Sequence, residues 1–359
     1  MRNILVTGGA GFIGSNFIQY LLNAEPEVRI VNIDALTYAG NQDNLKDLPG
    51  MDRHIFAHAD ICDRNIVEHL LYQNSIDTVV HFAAETHVDR SILCPETFIK
   101  TNIVGTLTLL EAVKKYWLAG KAHPLETVRF HHISTDEVYG SLSPDEESWT
   151  EDAPYAPNSP YAASKAGADH LVRSFGHTYG LPVTLTNCSN NYGPYQYPEK
   201  LIPVIILNAL EGSPIPVYGD GGQVRDWLFV EDHCEAIHTV LSKGLPGETY
   251  NIGGDNQMTN LKLVQMVCDV LDTLKPDSVN IPHSNFIKFV EDRPGHDRRY
   301  SLNTTKIQTE LGWHAGHSFD EGITNTVKWY LDNMEWVGAI RKRPDYKAWL
   351  YCNYEGRRI

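Results

Sequence analysis

A tyrosine and a lysine stand four residues apart, Tyr161 and Lys165, near the start of a predicted helix, so both project from one face. A free tyrosine ionises at about pH 10, and a fixed ammonium group beside it favours the phenolate. Such a phenolate is a general base for a sugar or alcohol hydroxyl, while a bound dinucleotide takes the hydride. The same spacing is also common in surface packing, so its meaning depends on the elements that position it.

Two adjacent carboxylates, Asp136 and Glu137, follow an apolar strand predicted over 130–133, in a polar run that includes Thr135. This run falls at the carboxyl edge of the predicted sheet, where folds of this kind bind ligands. Loop capping or solvation is one explanation for the two acids. Because an oxidation needs only the tyrosine, an added acid and base predict a second proton-transfer reaction in the same site.

The first half of the chain alternates strands and helices. Short apolar runs predict the strands, and 3.6-residue periodicity predicts the helices between them. The predicted strands are 3–7, 28–33, 53–58, 78–82, 129–134 and 183–188, and the predicted helices are 14–22, 66–73, 95–117 and 160–179. This order predicts an α/β fold, a doubly wound parallel sheet of the Rossmann type with helices on both faces.

The composition changes at Ser189, after which Tyr, Pro, Asn and Gly are frequent to about residue 222. We read this change as the start of a second, smaller substrate-binding α/β domain. The expected division is a dinucleotide-binding domain over 1–188 with a return segment at about 223–253, and a substrate-binding domain over 189–222 and 254–359.

Four later elements also have clear patterns. Residues 226–242 are predicted to be helical, and 249–252 to be a strand that returns to the first domain. An amphipathic helix is predicted over 258–274, with Thr259 or Asn260 as its N-cap. A further helix is predicted around 320–333.

Three glycines, Gly8, Gly11 and Gly14, directly follow the first strand and open the first helix. Such a turn brings backbone N–H groups and the positive helix end against a pyrophosphate. Asp34 ends the second strand 20 residues beyond Gly14, where a carboxylate accepts hydrogen bonds from an adenosine ribose. A role as a turn residue is the alternative for Asp34. Since a carboxylate repels a ribose phosphate and no arginine follows at 35–37, the pattern favours NAD over NADP.

The composition argues against several classes of function. With 359 residues, 42% of them apolar, and a net charge of −15, the chain is ordinary for a globular protein and unsuited to nucleic acid. Its six scattered cysteines indicate free thiols in a reducing compartment. Neither a signal peptide nor a membrane-length apolar run is recognised, so we expect a cytoplasmic protein with no membrane partner. No histidine pattern has metal-ligand spacing, so we predict no metal.

Seven motifs follow one another along nearly the whole chain. They are TGGAGFIG, DALTYAGN (34–41), AAETHVDRS (83–91), STDEVYG (134–140), SPYAASKA (159–166), CSNNYGPYQYPEKLIP (188–203) and DRPGHDRRY (292–300). On these motifs the chain resembles the extended short-chain dehydrogenase/reductase family, and within it the nucleotide-sugar 4,6-dehydratases. The first and fifth motifs are shared by the wider family, whereas STDEVYG and NNYGPYQYPEKLIP are much more specific.

The resemblance implies a three-step reaction on nucleotide-linked glucose, with dTDP-glucose as the expected substrate and NAD as cofactor. Tyr161, positioned by Lys165 and helped by Thr135, would deprotonate the 4-hydroxyl as hydride passes to NAD. Glu137 would remove the carbon-5 proton, and Asp136 would protonate the departing 6-hydroxyl. The hydride would then return to carbon 6, so that NAD ends as it began and the enzyme is a lyase.

The resemblance also implies the binding residues and the assembly. Together with the glycines, Asp34 and two strand ends, it implies a cofactor set of Gly8, Gly11, Phe12, Ile13, Gly14, Asp34, Thr37, Asp60, Ile61, Ala83, Ala84, Thr101, Tyr161, Lys165 and Asn191. The implied substrate set is Thr86, Thr135, Asn190, Lys200, Leu201, Pro216, Val217, Tyr218, Arg225, Asn260, Arg293 and His296. Thr86 stands where serine is usual and keeps the hydroxyl. A homodimer is implied through helices at roughly 95–117 and 160–179.

Four alternatives remain open at this point. A UDP-sugar dehydratase shares the specific motifs, because no sequence pattern identifies a thymine methyl pocket. An epimerase needs neither the acid nor the base, and a decarboxylase would need a further cation for a sugar carboxylate. A non-catalytic dinucleotide-binding protein has no use for a poised phenolate.

Overall fold

A computed structural model describes residues 1–292 and 296–351. Its strands are β1 Asn3–Thr7, β2 Arg29–Asp34, β3 His54–His58, β4 Thr78–His81, β5 Arg129–Thr135, β6 Val183–Cys188, β7 Asn190–Tyr192, β8 Ile215–Tyr218, β9 Val224–Phe229, β10 Thr249–Ile252, β11 Gln257–Thr259 and β12 Ile287–Val290. Seven of them form one parallel sheet in the order β3-β2-β1-β4-β5-β6-β10. This order, which reverses direction between β1 and β4, confirms the predicted doubly wound fold.

The α-helices lie on both faces of this sheet and around the second region. They are α1 Phe12–Ala24, α2 Arg64–Gln73, α3 Val88–Leu93, α4 Pro95–Phe98, α5 Thr106–Val113, α6 Pro160–Tyr179, α7 Leu201–Glu211, α8 Val230–Lys243, α9 Asn260–Leu274, α10 Thr305–Leu311, α11 Phe319–Asp332, α12 Met334–Arg341 and α13 Pro344–Leu350. The predicted helix over 95–117 is a helical run, 95–119, in which two π-helical segments, Ile99–Gly105 and Lys114–Ala119, alternate with α4 and α5.

Strand β1 shows why the sheet must be covered on both faces. Ile4, Leu5 and Val6 are all fully buried, although their side chains alternate between the two faces. Leu5 packs into a core with α2, α5 and α6, whereas Ile4 and Val6 pack into another with α1 and α8. An uninterrupted apolar strand is therefore the signature of a sheet between two helical layers.

The predicted helix over 226–242 is wrong at its start. Residues 224–229 form strand β9, and α8 begins at Val230. The Asp226 carboxylate accepts hydrogen bonds from the backbone N–H groups of Gly254 and Asn256, at 3.0 and 2.7 Å. Asp226 therefore fastens a strand to a neighbouring turn, although an acid before an apolar run resembles a helix start.

The second region has its own sheets and core. Strands β7, β9 and β11 form a three-stranded sheet, and β8 pairs in parallel with β12. Their apolar side chains pack with α7, α9 and α11. Helix α9 is N-capped by Thr259, whose hydroxyl accepts a hydrogen bond from Lys262 N at 3.2 Å. Strand β10 joins the edge of the main sheet beside β6, as predicted for 249–252.

The C-terminal helices α12 and α13 cross back to the first region. Trp336 Nε1 donates to Asn44 Oδ1 at 2.8 Å, and Arg343 donates to the side chain of Asn41 at 3.0 Å. These contacts hold the C-terminal segment beside the loop that follows β2. Across residues 1–292 and 296–351, every helix is too short or too polar to cross a membrane.

Candidate active site

Two adjoining cavities of about 340 and 210 Å³ open along the carboxyl edge of the main sheet. The first cavity follows the ends of β1, β2, β4 and β5, across the point where the strand order reverses. The second extends between β8, β9 and α7. Thr86, Glu137, Asn190 and Lys200 line both, so the cavities form one continuous cleft.

The glycine turn between β1 and α1 forms one end of the first cavity. Gly8 has a φ of +72°, and an added Cβ there would lie 2.7 Å from Ala83 N. Helix α1 begins after Gly11, and no described side chain caps its first turn. The uncapped N–H groups and the positive helix end therefore form an anion site at the cavity wall.

Replacing Gly14 with Ala should weaken cofactor binding at least about tenfold, which corresponds to roughly 1.4 kcal/mol of binding free energy. A Cβ at Gly14 would collide with the carbonyl oxygen of Gly8, so the turn must shift away from the pyrophosphate position. Isothermal titration of NAD into the cofactor-free variant measures the loss. Gly338→Ala is the matched control, since no described atom lies within 4 Å of its added Cβ. Equal NAD affinity in both variants would contradict the prediction.

Asp34 lies at the end of β2, where it is buried beside the glycine turn. Its Oδ2 accepts a hydrogen bond from Ala10 N at 2.9 Å, and its Oδ1 accepts one from Leu36 N at 2.8 Å. Each carboxylate oxygen can accept more than one hydrogen bond, so both keep capacity for hydroxyl donors of a ligand. The same carboxylate shapes the turn and presents negative charge to the cavity.

Tyr161 and Lys165 lie in the first turns of α6, on the wall of the first cavity. The helix begins there because the Ser159 hydroxyl accepts a hydrogen bond from Ala162 N at 3.0 Å. Lys165 Nζ donates to the carbonyl oxygen of Ile133 at 2.7 Å, which ties the helix to β5. Both side chains are buried.

The protonation of Tyr161 depends on its neighbours. Burial raises the pKa of Tyr161 well above its ordinary value, and the Glu137 carboxylate raises the pKa further. The Thr135 hydroxyl beside the phenol lowers the pKa in part. These groups hold the phenol protonated, so a cationic ligand in the cavity would be needed to make it a base near neutral pH.

Asp136 and Glu137 begin the turn that follows β5, for which Thr135 is the N-cap. Burial, followed by the Glu137 carboxylate, raises the pKa of Asp136 well above its ordinary value. Asp136 Oδ1 accepts a hydrogen bond from Thr135 Oγ1 at 3.3 Å, and Oδ2 has no hydrogen-bond partner among the described residues. The raised pKa favours the protonated form of Asp136, which can act as an acid beside a second carboxyl group at the junction of the two cavities.

Two cations, Lys200 and Arg225, line the second cavity. Arg225 is buried, and its guanidinium donates to the carbonyl oxygens of Val224 and Asp297 at 2.8 and 3.0 Å. Lys200 stands at the N-terminus of α7, and both cations line the cavity. Two cations in one enclosed space fit a ligand with two negative charges, such as a pyrophosphate.

Several buried acceptors in the cleft have no hydrogen-bond partner among the described residues. They are the side-chain oxygens Asn190 Oδ1, Gln196 Oε1 and Asn260 Oδ1, besides Asp136 Oδ2. Buried acceptors without donors are unfavourable by about 1 to 3 kcal/mol each. A ligand rich in hydroxyl groups would supply the missing donors.

The cleft brings together nearly all of the residues that the sequence singled out. All fifteen of the predicted cofactor residues and all five of the catalytic candidates line the first cavity. Among the substrate candidates, Leu201, Pro216, Tyr218, Arg225, Asn260 and His296 line the second cavity, and Thr86, Asn190 and Lys200 line both. Val217 is an exception, since it packs into the second core. Arg293 lies outside the described residues.

Tyr38, Gln196 and Glu199 also line the cleft, although sequence reasoning did not select them. Arg90 donates to Glu199 Oε2 at 2.9 Å and lies between the Tyr38 and Trp349 rings, 3.8 and 4.2 Å from their centres. Tyr38 lies in the motif DALTYAGN and Glu199 in CSNNYGPYQYPEKLIP, and membership of these motifs is the one sequence feature that could have identified them. Four distant chain segments build this wall, so spacing along the sequence could not identify it.

A doubly wound sheet with an uncapped glycine turn, an acid at the end of β2 and a Tyr-Lys pair on α6 defines a dinucleotide-binding protein of the extended short-chain dehydrogenase type. Comparison with known proteins confirms this class. The chain belongs to the GDP-mannose 4,6 dehydratase family, whose model matches residues 5–326.

Three proteins that are similar to this chain over nearly its whole length are all dTDP-glucose 4,6-dehydratases. The chain is 53% identical to dTDP-glucose 4,6-dehydratase 1 of Escherichia coli, over 99% of each chain. It is 56% identical to dTDP-glucose 4,6-dehydratase of Xanthomonas campestris, over 95% of this chain and 96% of the relative. The structure of dTDP-glucose 4,6-dehydratase from Streptomyces venezuelae, solved with NAD bound, superposes with a TM-score of 0.85 at 46% identity, covering 94% of this chain and all of that one.

Proposed function

We propose that this protein is an NAD-dependent lyase that converts dTDP-glucose to dTDP-4-keto-6-deoxyglucose by loss of water. The observation that carries the proposal is the convergence of Tyr161, Asp136 and Glu137 on one cleft, in which burial raises the pKa of Asp136 and so favours its acid form. A redox tyrosine alone would serve an oxidation or an epimerisation. The added acid and second carboxyl group favour elimination.

The first cavity fits NAD. The uncapped start of α1 would bind the pyrophosphate, Asp34 would accept hydrogen bonds from the adenosine ribose, and Lys165 would contact the second ribose. Bound NAD supplies a hydride acceptor for carbon 4 that later gives the hydride back at carbon 6. Its positive ring would also lower the pKa of Tyr161, against the effects of burial and the Glu137 carboxylate.

The side chains of the cleft would move three protons. Tyr161 takes the proton of the 4-hydroxyl, which leaves a carbonyl at carbon 4. That carbonyl acidifies the carbon-5 proton, which Glu137 removes while Asp136 protonates the departing 6-hydroxyl as water. Glu137 then returns its proton to carbon 5. The starting state is restored when the proton on Tyr161 passes to Asp136. The Thr135 hydroxyl lies beside both side chains and can relay this proton.

The second cavity would hold the nucleotide. Lys200 and Arg225 are placed to bind the pyrophosphate of the sugar nucleotide, and Tyr218 and Pro216 to contact the base. Asn190 and Asn260 offer buried acceptors to hydroxyl groups of the ligand. The glucose would then lie at the junction of the two cavities, beside Glu137.

The enzyme should move deuterium from carbon 4 of dTDP-glucose to carbon 6 of the product, with no net change in NAD. The hydride would be held on the cofactor as a carbon–hydrogen bond, so it would not exchange with solvent during turnover. Mass spectrometry and NMR of the product after incubation with 4-deuterated substrate measure the transfer. Product without deuterium at carbon 6 would refute the mechanism.

A dehydratase acting on UDP-glucose is the alternative. An epimerase is disfavoured by the acid pair, and a decarboxylase is disfavoured because we assign no described cation of the cleft to a sugar carboxylate. Parallel turnover of dTDP-glucose and UDP-glucose at equal concentrations distinguishes the first two. We expect dTDP-glucose to give the higher kcat/KM.

Two packing cores support the proposed division into domains. The first comprises the main sheet with its helices, and the second comprises β8 and its neighbours with α7, α9 and α11. We propose a cofactor domain over 1–188 with the return segment at about 223–253, and a nucleotide-sugar domain formed by 189–222 and 254–359. Strand β9 lies within the return segment but packs into the second core through Trp227 and Phe229, so the support from packing applies to α8 and β10. In this division the cofactor would bind against the first domain and the nucleotide sugar against the second, with the cleft between them.

We further propose a cytoplasmic homodimer that pairs through the helical run 95–119 and α6. Ile99, Val104 and Leu107 are exposed apolar side chains on that run, which suits burial against a second copy. Light scattering should give twice the chain mass of 40.4 kDa. Leu107→Glu should give monomers, whereas Ile55→Glu, at an exposed apolar site on β3, should not. A monomeric wild-type protein would contradict the proposal.

A further inference from the structure

A buried chain of polar groups lies beneath Lys165. Asp169 follows Lys165 by one helical turn on α6, and both side chains are buried. Lys165 Nζ lies 3.4 Å from His132 Nε2, and the same ring nitrogen lies 3.1 Å from Asp169 Oδ1. One imidazole nitrogen of His132 therefore lies beside both the ammonium group and the carboxylate.

Asp169 is held in this place from several directions. Its Oδ2 accepts a hydrogen bond from the Ser134 hydroxyl at 2.7 Å. The titratable groups that face Asp169 or Lys165 are His132 from β5, His81 from β4, Cys188 from β6, Tyr139 and Tyr155 from the segment after β5, and Arg173 from α6. Of these groups, Asp169 is the one carboxylate, so it supplies the negative charge that balances Lys165.

We infer that Asp169 is a positioning residue for the proposed oxidation: its buried carboxylate keeps Lys165 in the ammonium form on which the Tyr161 base depends. The inference rests on the proposed function, because it assigns Asp169 a part in preparing the same base. Asp169 does not line the cleft and would act through His132 and Lys165.

The electrostatics of the buried pair support this role. Burial lowers the pKa of Lys165, and the Asp169 carboxylate raises it. An isolated buried lysine loses its proton readily, whereas a paired one keeps it. Burial raises the pKa of Asp169 to about 6, against the effects of Lys165 and the Ser134 hydroxyl. The counter-charge is therefore present at neutral pH and is lost as the solution becomes acidic.

Asp169→Asn in the full-length, NAD-loaded protein tests the inference, since the amide keeps the shape and removes the charge. The ultraviolet absorbance of the Tyr161 phenolate, isolated by subtracting the spectrum of Tyr161→Phe, reports the base directly and without substrate. We expect its titration to move at least about one pH unit upward. The rate of the first oxidation at neutral pH should fall roughly tenfold and recover at higher pH.

Two further variants separate charge from structure. Thr184→Val removes the buried hydrogen bond to His131 Nδ1 (2.9 Å), which lies outside the group around Asp169. It should lower stability and leave the Tyr161 titration in place. Ser134→Ala keeps the carboxylate and removes a hydrogen bond that favours its ionised form, so it should give a smaller upward shift.

An unchanged Tyr161 titration in folded Asp169→Asn would overturn the inference, even if activity or stability falls. If that variant does not fold, Ser134→Ala decides: an upward shift supports the role, and no shift overturns it. Failure of the proposed function looks different. Wild-type protein that does not dehydrate dTDP-glucose, yet shows the Asp169-dependent titration of Tyr161, would refute the substrate and leave the inference standing.

Discussion

Tyr161→Phe should lower the rate of the first oxidation by about 10² to 10⁴-fold, the usual contribution of a general base. Tyr161 is buried at the wall of the first cavity, and its phenol is the group placed to take the 4-hydroxyl proton. Phenylalanine keeps the ring and removes the proton acceptor. Stopped-flow absorbance of the reduced nicotinamide, followed on mixing the NAD-loaded enzyme with dTDP-glucose, measures this step.

Tyr139→Phe is the matched control for loss of a buried tyrosine hydroxyl. The Tyr139 hydroxyl donates to Asn251 Oδ1 at 3.0 Å and accepts from Asn187 Nδ2 at 2.7 Å, and it does not line either cavity. Its loss should lower the free energy of unfolding by about 1 to 3 kcal/mol and leave the oxidation rate nearly unchanged. A Tyr161→Phe enzyme that oxidises within tenfold of the wild-type rate would show that another group is the base.

Asp136→Asn and Glu137→Gln should each separate the oxidation from the elimination. Both amides keep the size of the side chain, but the first cannot protonate the 6-hydroxyl and the second cannot take the carbon-5 proton. Dehydration should fall by about 10² to 10⁴-fold while the first oxidation falls much less. Rapid quenching with mass spectrometry should therefore show the 4-keto sugar with its 6-hydroxyl still present, together with reduced cofactor.

The raised pKa of Asp136 also predicts how the rate of elimination changes with pH. This raised pKa extends the acid form of Asp136 to higher pH than for an ordinary carboxyl group, and that form is lost as the pH rises through the raised pKa. Elimination in the wild type should thus decline on the alkaline side, and Asp136→Asn should abolish that decline. Glu151→Gln is the control, because Glu151 accepts a hydrogen bond from Asn251 N at 2.8 Å outside the cleft. Variants that lose only NAD affinity would contradict both assignments.

The local features of the fold could be predicted because they depend on short stretches of chain. The glycine turn, Asp34 at the end of β2 and the Tyr161–Lys165 pair each lie within a few residues of a strand or helix end. The alternation of elements then implied the order of the sheet. The prediction failed over 226–242, where Asp226 serves a turn that comes almost thirty residues later in the chain.

The chemistry of Tyr161 and its acid partners was indicated by the sequence alone, since side-chain type and spacing set what each group can donate or accept. The protonation states were decided only by the tertiary structure. Burial is the largest cause of the raised pKa of both Asp136 and Tyr161, and it depends on packing between distant segments. The contacts of Lys165 and Asp169 with His132 likewise join α6 to strand β5, which is distant in the sequence. Loss of water around a charged group is a property of packing, so only the folded chain specifies which acid keeps its proton and which lysine keeps its charge.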